Sequence, residues 1–327
     1  MIRLLSTGLA CLGLLLSVPS SMRADDVLMF GPSLAVYIQE NDLDQCDSSR
    51  DDHPHGQELR GDEDFSEDES HFADDAGHNV TIVSASEWAS MTTQQFRAYD
   101  AIVIGDAGCG CDEGELLEPV NANRQVWSPA VTGHLFLHTF DNVYHYNTNS
   151  RPRGTSSAQF DAMVDLAVDG IEFAASAEGT GLYFALACRD FEADDRGLGN
   201  LEFLSELVNV EPTYNGGGDD VEILQPGHPS MTNLTDETLS DWGSSFHDYF
   251  RSYDSLLNEV SFGMEGDNRG VPDGGEEEVD EGIVILATIQ PLGSSSVLPI
   301  PTAQPATLGA LALLLAALGA YVLSRKS

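Results

Sequence analysis

The stretch "GTGLYFALACRD", Gly179 to Asp190, carries an apolar run up to Cys188 and stops at Arg189 and Asp190. A cysteine delivered to the carboxyl end of a buried strand can attack a carbonyl, provided a base or a positive environment makes it a thiolate. His228 and His247 lie in about the right part of the chain to serve as that base. Asp106, Cys109 and Cys111 follow a second apolar run, and Asp141 and His145 follow a third. With Cys188, Arg189 and Asp190 they would line one pocket if the three runs were parallel strands, because open α/β sheets bind ligands at their carboxyl edge.

Other residue sets suggest other chemistry. His134 and His138 share one face of a strand, and His145 follows shortly after, a set that could ligate a transition metal. Core or loop histidines are the competing reading. Asp42, Asp44, Asp47, Asp51 and Asp52 resemble a run of oxygen ligands for calcium. No glycine-centred twelve-residue loop fits them, so calcium binding there would be weak, and a solvated acidic loop is the simpler reading. The Cys109-Gly-Cys111 spacing is too short for a usual zinc half-site. No other cofactor is expected.

The elements that must position these groups alternate. "HNVTIVSAS", "AIVIGD", "GHLFLHTF" and "GLYFALAC" read as strands, the second continuously apolar as in a parallel sheet buried on both faces. "EWASMTTQQFRAYD" reads as a helix, as do "SSAQFDAMVDLAVDGIEFAASA", opened by Ser156 or Ser157, and "GNLEFLSELVNV". After a short strand, "VEILQPGHP", comes a turn-rich segment. "LNEVSFGM" and "EGIVILATI" then read as a closing antiparallel pair. The expected fold class is α/β, a mostly parallel central sheet with helices on both faces, over residues 25–290. The acidic stretch at about 40–75 is expected to lie mostly outside it.

The two ends differ from this body. Residues 1–24 have Arg3, an apolar core and small residues up to Ala24, the layout of a secretory signal peptide. Residues 291–305 form a polar linker. Residues 306–327 hold an uncharged apolar run long enough for a membrane helix, then Arg325 and Lys326, which favour a cytoplasmic C-terminus. The expected protein is exported and held at the cell envelope or surface by its C-terminal helix, at least transiently. All 54 acidic residues lie between Asp25 and Glu281, and four of the 14 basic residues lie in the two end segments. The body therefore sets 54 acids against ten bases, a net of 44 negative charges, and contains no lysine. Such a field repels nucleic acid, which is excluded as a partner. It should also make the fold gain stability from salt. Thermal melts in low and high sodium chloride should show a rising Tm, and a flat or falling one would refute this.

Four cysteines remain after the signal and allow three pairings. Oxidation after export would join Cys46 to Cys109 or Cys111, tying the acidic loop to the sheet.

Two resemblances add to this reading. "PIPT" before the apolar run and the basic tip resembles the bacterial C-terminal sorting signals of the IPTL-CTERM and PEP-CTERM type, although Ala303 stands where leucine is usual. The resemblance implies an envelope sorting protease as partner. A plain single-pass anchor is the alternative. A GPI signal with Ser294 to Ser296 as attachment site is another, disfavoured by Arg325-Lys326. "AGHNVTIVSASEWASMTTQQFRAYDAIVIGD", "FDNVYH", "GTGLYFALAC" and "HPSMTNLTDETLSDWGSSFHDYF" resemble a class I glutamine-amidotransferase-like domain of flavodoxin type. The enzymes of that family use Gly-x-Cys-x-Gly and a later His-x-Glu. Here Leu186 and Asp190 replace the two glycines, and no histidine is followed two residues on by glutamate. The resemblance implies the fold but a degenerate site, with Cys188 a structural or disulfide cysteine. The expected function is binding or scaffolding. A cysteine-dependent hydrolase or amidase and a calcium-dependent adhesion module are the alternatives, and the ligand is unassigned.

Overall fold

Apolar strands without polar alternation must be covered on both faces, and the sheet shows how. The computed structural model describes residues 24–41, 65–107, 113–147, 155–186, 201–243, 245–264, 281–288 and 292. The strands are β1 (Asp26–Phe30), β2 (Asn79–Val83), β3 (Ala101–Ile104), β4 (Val131–His138), β5 (Thr180–Ala185), β6 (Val210–Gly218), β7 (Asp220–Ile223), β8 (Phe246–Tyr253), β9 (Leu257–Met264) and β10 (Glu281–Thr288). The helices are α1 (Ala35–Glu40), α2 (Glu69–Asp75), α3 (Ala85–Ser90), α4 (Thr93–Phe96), α5 (Glu113–Ala122), α6 (Arg124–Trp127), α7 (Asn142–Asn147), α8 (Ser157–Ala175), α9 (Glu202–Ser205) and α10 (Asp236–Leu239).

One sheet runs β2-β1-β3-β5-β4-β10-β8-β6, with β9 paired to β10 and β7 to β9. The class is α/β, but the sheet is mixed rather than mostly parallel. The pairings β1–β2, β1–β3, β3–β5 and β4–β5 are parallel. The five that involve β6 to β10 are antiparallel. Each parallel strand is reached through a helical crossover, whereas the later strands follow one another with little helix between them, and short connections return a chain antiparallel. The closing pair is β9 and β10, paired from Leu257↔Thr288 to Met264↔Glu281 with register shifts on either side of Ile285.

Two apolar layers cover the sheet. Val27, Met29, Val103, Phe136 and Tyr183 face α2 and α8. Leu28, Phe30, Ile102, Ile104, Leu135 and Phe184 face the helices that carry Trp88, Phe96, Leu117, Trp127 and Phe203. Helix α8 starts where expected: Ser156 accepts from the Gln159 N–H while the Gln159 side chain returns to the Ser156 N–H. The same chemistry breaks the single helix expected over residues 87–100. Thr92 and Gln95 form a second capping box, so α3 stops at Ser90 and α4 begins afresh.

The helix expected from residues 199–210 shrinks to α9, because Val210 already pairs with Tyr253 of β8. The acidic stretch is also shorter than expected. Residues 42–64 lie outside the described residues, but Phe65, Asp68, Glu69 and Phe72 are buried, and α2 packs against the sheet within one apolar layer. The expected linker and apolar C-terminal run lie outside the described residues, apart from Leu292. Among the described residues, no helix is long and apolar enough to cross a membrane.

Candidate functional site

The chain leaves β1 through α1 and α2 on one face of the sheet and leaves β3 through α5 on the other. The carboxyl ends of β1 and β3 are therefore a switch point, where the two connections diverge and a crevice can open. Four groups meet there. The Ser33 hydroxyl donates to the Phe30 carbonyl (2.8 Å) and accepts the Gly105 N–H (2.9 Å). Glu69, the first residue of α2, accepts the Asp106 N–H on Oε1 at 2.7 Å. Glu69, Asp106 and Asp68 are all fully buried. Glu69 Oε2 has no hydrogen-bond partner among the described residues and lies 2.8 Å from where a Cβ on Gly105 would stand. The glycine lets the carboxyl come this close.

Asp68 is well provided for. Its Oδ1 accepts from the Ser70 N–H (3.0 Å) and hydroxyl (2.5 Å) and lies 3.0 Å from His71 Nδ1, while Oδ2 takes the Val36 N–H (3.0 Å). It caps α2 and pins the start of α1, which makes it a structural acid. Glu69 is different. Burial first, then the neighbouring charges of Asp106 and Asp68, push its carboxyl well above the ordinary glutamate range, although the Asp106 N–H works the other way.

A hydrogen-bonded chain adjoins this pair. The Phe140 N–H donates to His138 Nδ1 at 3.3 Å, which leaves the ring proton on Nε2, 2.7 Å from the Tyr183 hydroxyl. Tyr183 is fully buried, and burial, then Glu69 and Asp106, raise its phenol well above its ordinary range. The phenol thus stays protonated beside the two carboxyls.

Further along the edge, Asp141 and His145 stand one helical turn apart, Oδ1 to Nε2 at 3.1 Å, both buried. Asp219 approaches them from the β6–β7 turn, its Oδ1 accepting the N–H groups of Gly243 (3.0 Å) and Ser245 (3.1 Å). Burial raises the Asp219 carboxyl, while those two N–H groups and the His145 charge lower it.

Asp106, Asp141 and His145 therefore lie at the carboxyl edge, as their positions after strands imply. Cys46, Cys109, Cys111, Cys188, Arg189, Asp190, Asp42 and Asp44 lie outside the described residues. The three histidines proposed as metal ligands take separate roles. His138 bonds Tyr183, and His145 pairs with Asp141. His134 stacks on Phe173 at 4.4 Å, with Nδ1 3.1 Å from the Thr288 hydroxyl. Among the described residues, no three His, Cys, Asp or Glu side chains are grouped to hold a metal ion. His228 packs against Phe173 in the last turn of α8 (4.7 Å), at the level of His134 near the start of β4. Cys188 follows the far end of β5, whose Ala185 pairs with His138. The four steps along the strand from His134 to His138 span roughly 13 Å, so His228 is not at the edge that Cys188 follows. The His247 backbone is at that edge, because its neighbour Phe246 bridges Phe140; its side chain lies outside the described residues.

The chain matches no family model, no curated protein and no solved structure. The site is thus defined by its geometry alone. Glu69 and Tyr183 were not among the sequence candidates. Glu69 sits in what reads as a solvated acidic loop, and Tyr183 in what reads as a plain apolar strand. A lone tyrosine within a buried apolar run was the one available signal, since its hydroxyl needs a partner there.

Proposed function

We propose that this chain is an exported, envelope-anchored α/β domain, similar in design to class I glutamine-amidotransferase-like domains, whose carboxyl edge binds a ligand or scaffolds a partner rather than turning a substrate over. One observation carries this reading. His138, at the carboxyl end of β4, is buried and engaged through both ring nitrogens, so it has no accepting nitrogen to offer. A general base needs an accepting nitrogen within reach of the reacting group. The missing Gly-x-Cys-x-Gly turn and the negative body also argue against a thiolate at Cys188. The sorting protease and the C-terminal anchor belong to the same reading and rest on the sequence of residues 298–327.

The hydrolase reading has one observation in its favour, the placing of the His247 backbone at the edge that Cys188 follows. Iodoacetamide labelling separates the two. Labelling of the folded protein from about pH 5 to 9, read peptide by peptide, brackets the normal thiol pKa of about 8.5. Cys188 is expected to label slowly until the protein unfolds. Cys188→Ala is expected to leave an amidase and esterase screen unchanged. Fast labelling in mild acid, with turnover abolished by the alanine, would overturn the binding reading.

A further inference from the structure

The segment from Pro229 to Leu239 lies on α8, with Met231, Leu234 and Leu239 buried. It begins with a short 3-10 turn, Pro229–Met231, whose N-cap is His228. Histidine is not among the preferred caps, which are Ser, Thr, Asp, Asn and Gly. Here the imidazole does the capping: Nδ1 accepts the Ser230 N–H at 3.3 Å and the Ser230 hydroxyl at 2.8 Å. The neutral ring must then carry its proton on Nε2. A protonated ring has N–H groups at both positions, so Nδ1 would turn a donor against the Ser230 N–H. The hydroxyl can rotate to accept, but the backbone N–H cannot.

We infer that His228 is a proton-sensitive clasp, which holds the segment from Pro229 to Leu239 on α8 while its ring is neutral and loosens it when the ring is protonated. The groups around it set the direction. From β4, His134 faces it across Phe173, the two rings lying on the same phenylalanine at 4.4 and 4.7 Å. Burial, then the His134 charge, lower the His228 pKa below its ordinary 6.5, and burial lowers that of His134. A depressed histidine contributes stability that is present above 6.5 and lost as pH falls through the lowered value.

From α8, Asp169 accepts from the Asn233 N–H (3.3 Å) and side-chain amide (3.4 Å). Burial raises its pKa to about 6, with Asp165 and Glu172 adding to the rise and Asn233 opposing it. Asp169 acts in the opposite sense, because its raised pKa favours the folded state as pH falls from about 6 toward 3.8. Within the segment, Asp236 is engaged with the Ile223 N–H (2.8 Å) and Glu237 is exposed. From β9, the Glu259 side chain is bonded to the Tyr253 hydroxyl.

Hydrogen exchange read by mass spectrometry from about pH 7.5 to 5, corrected for intrinsic rates, tests the clasp across the range where histidine changes charge. On acidification, peptides covering residues 229–239 should exchange about fivefold faster or more, the effect of losing a typical cap. His228→Asn keeps a side-chain acceptor for the Ser230 N–H without titrating, so the acid-induced acceleration should vanish and only the opposing, protective effect of Asp169 should remain. His228→Ser should do the same through its hydroxyl. Asp169→Asn removes the opposing proton and should enlarge the wild-type response. A wild-type segment whose corrected exchange does not depend on pH would overturn the proposal. So would capped variants that respond like wild type, or protection lost evenly along the chain.

Discussion

Gly181→Ala is expected to abolish folding or to lower stability by about 3 kcal/mol or more, at the upper end of overpacking costs. Gly181 lies in β5 where α8 crosses it. A Cβ there would stand 2.0 Å from the Ala174 carbonyl oxygen, 2.6 Å from its carbon and 2.8 Å from the His134 oxygen. All three are backbone atoms, so no rotamer change relieves the contact. The helix must lift from the sheet or β5 must leave its place between β3 and β4, and either movement opens the layer that holds Phe136, Met163, Leu166 and Tyr183. Gly170→Ala, on the helix side, meets the Phe136 ring at 2.6 Å; a side chain can yield a little, so the loss should be smaller. Gly227→Ala has nothing within 4 Å and serves as the neutral control. Urea unfolding of the three variants should rank them in that order, and Gly181→Ala with a wild-type midpoint would show that α8 does not rest on β5 as described.

Glu69→Gln is expected to stabilise the protein at neutral and alkaline pH while leaving it little changed in acid. The glutamine oxygen keeps the Asp106 N–H, and its amide puts a donor where Oε2 now has no partner among the described residues. The wild-type carboxyl, held above its ordinary 4.5 by burial and by Asp106 and Asp68, keeps a proton in the folded state that it loses in the unfolded chain. Stability from this group is therefore greatest below 4.5 and falls as pH rises toward the folded value, by about 1.4 kcal/mol per pH unit for one proton. The other carboxylates titrate in both proteins, so the difference between wild type and variant isolates Glu69. Chemical denaturation at a series of pH values from 4 upward should give two curves that meet in acid and diverge above it. Parallel curves would mean that Glu69 titrates normally, and the reading of the switch point as an acid pair holding a proton would fall. Glu69→Ala is a different experiment, since it strands the buried Asp106 N–H and should destabilise at every pH.

Much of the scaffold was legible in the sequence because its signals are local. The uninterrupted apolar run of β3, the capping box at Ser156 and the paired apolar runs of β9 and β10 depend on neighbours only a few residues away. Asp106, Asp141 and His145 could be placed at the carboxyl edge because a residue just after a parallel strand must lie there. The negative charge of the body and the absence of lysine were likewise fixed by composition alone. Tertiary structure decided the rest. No local pattern tells that β5 slots between β3 and β4, or that β6 and β8 form, because their pairing partners are distant in sequence. Glu69 reads as one more acid in an acidic stretch, and only the fold brings it to the Asp106 N–H, 37 residues away. His228 reads as a candidate base for Cys188, yet the reversal of α8 against the sheet carries it toward the opposite edge. Spacing along the chain can state which chemistry the residues could perform, but which of them meet is set by long-range packing, and packing placed a buried acid, Glu69, at the carboxyl edge.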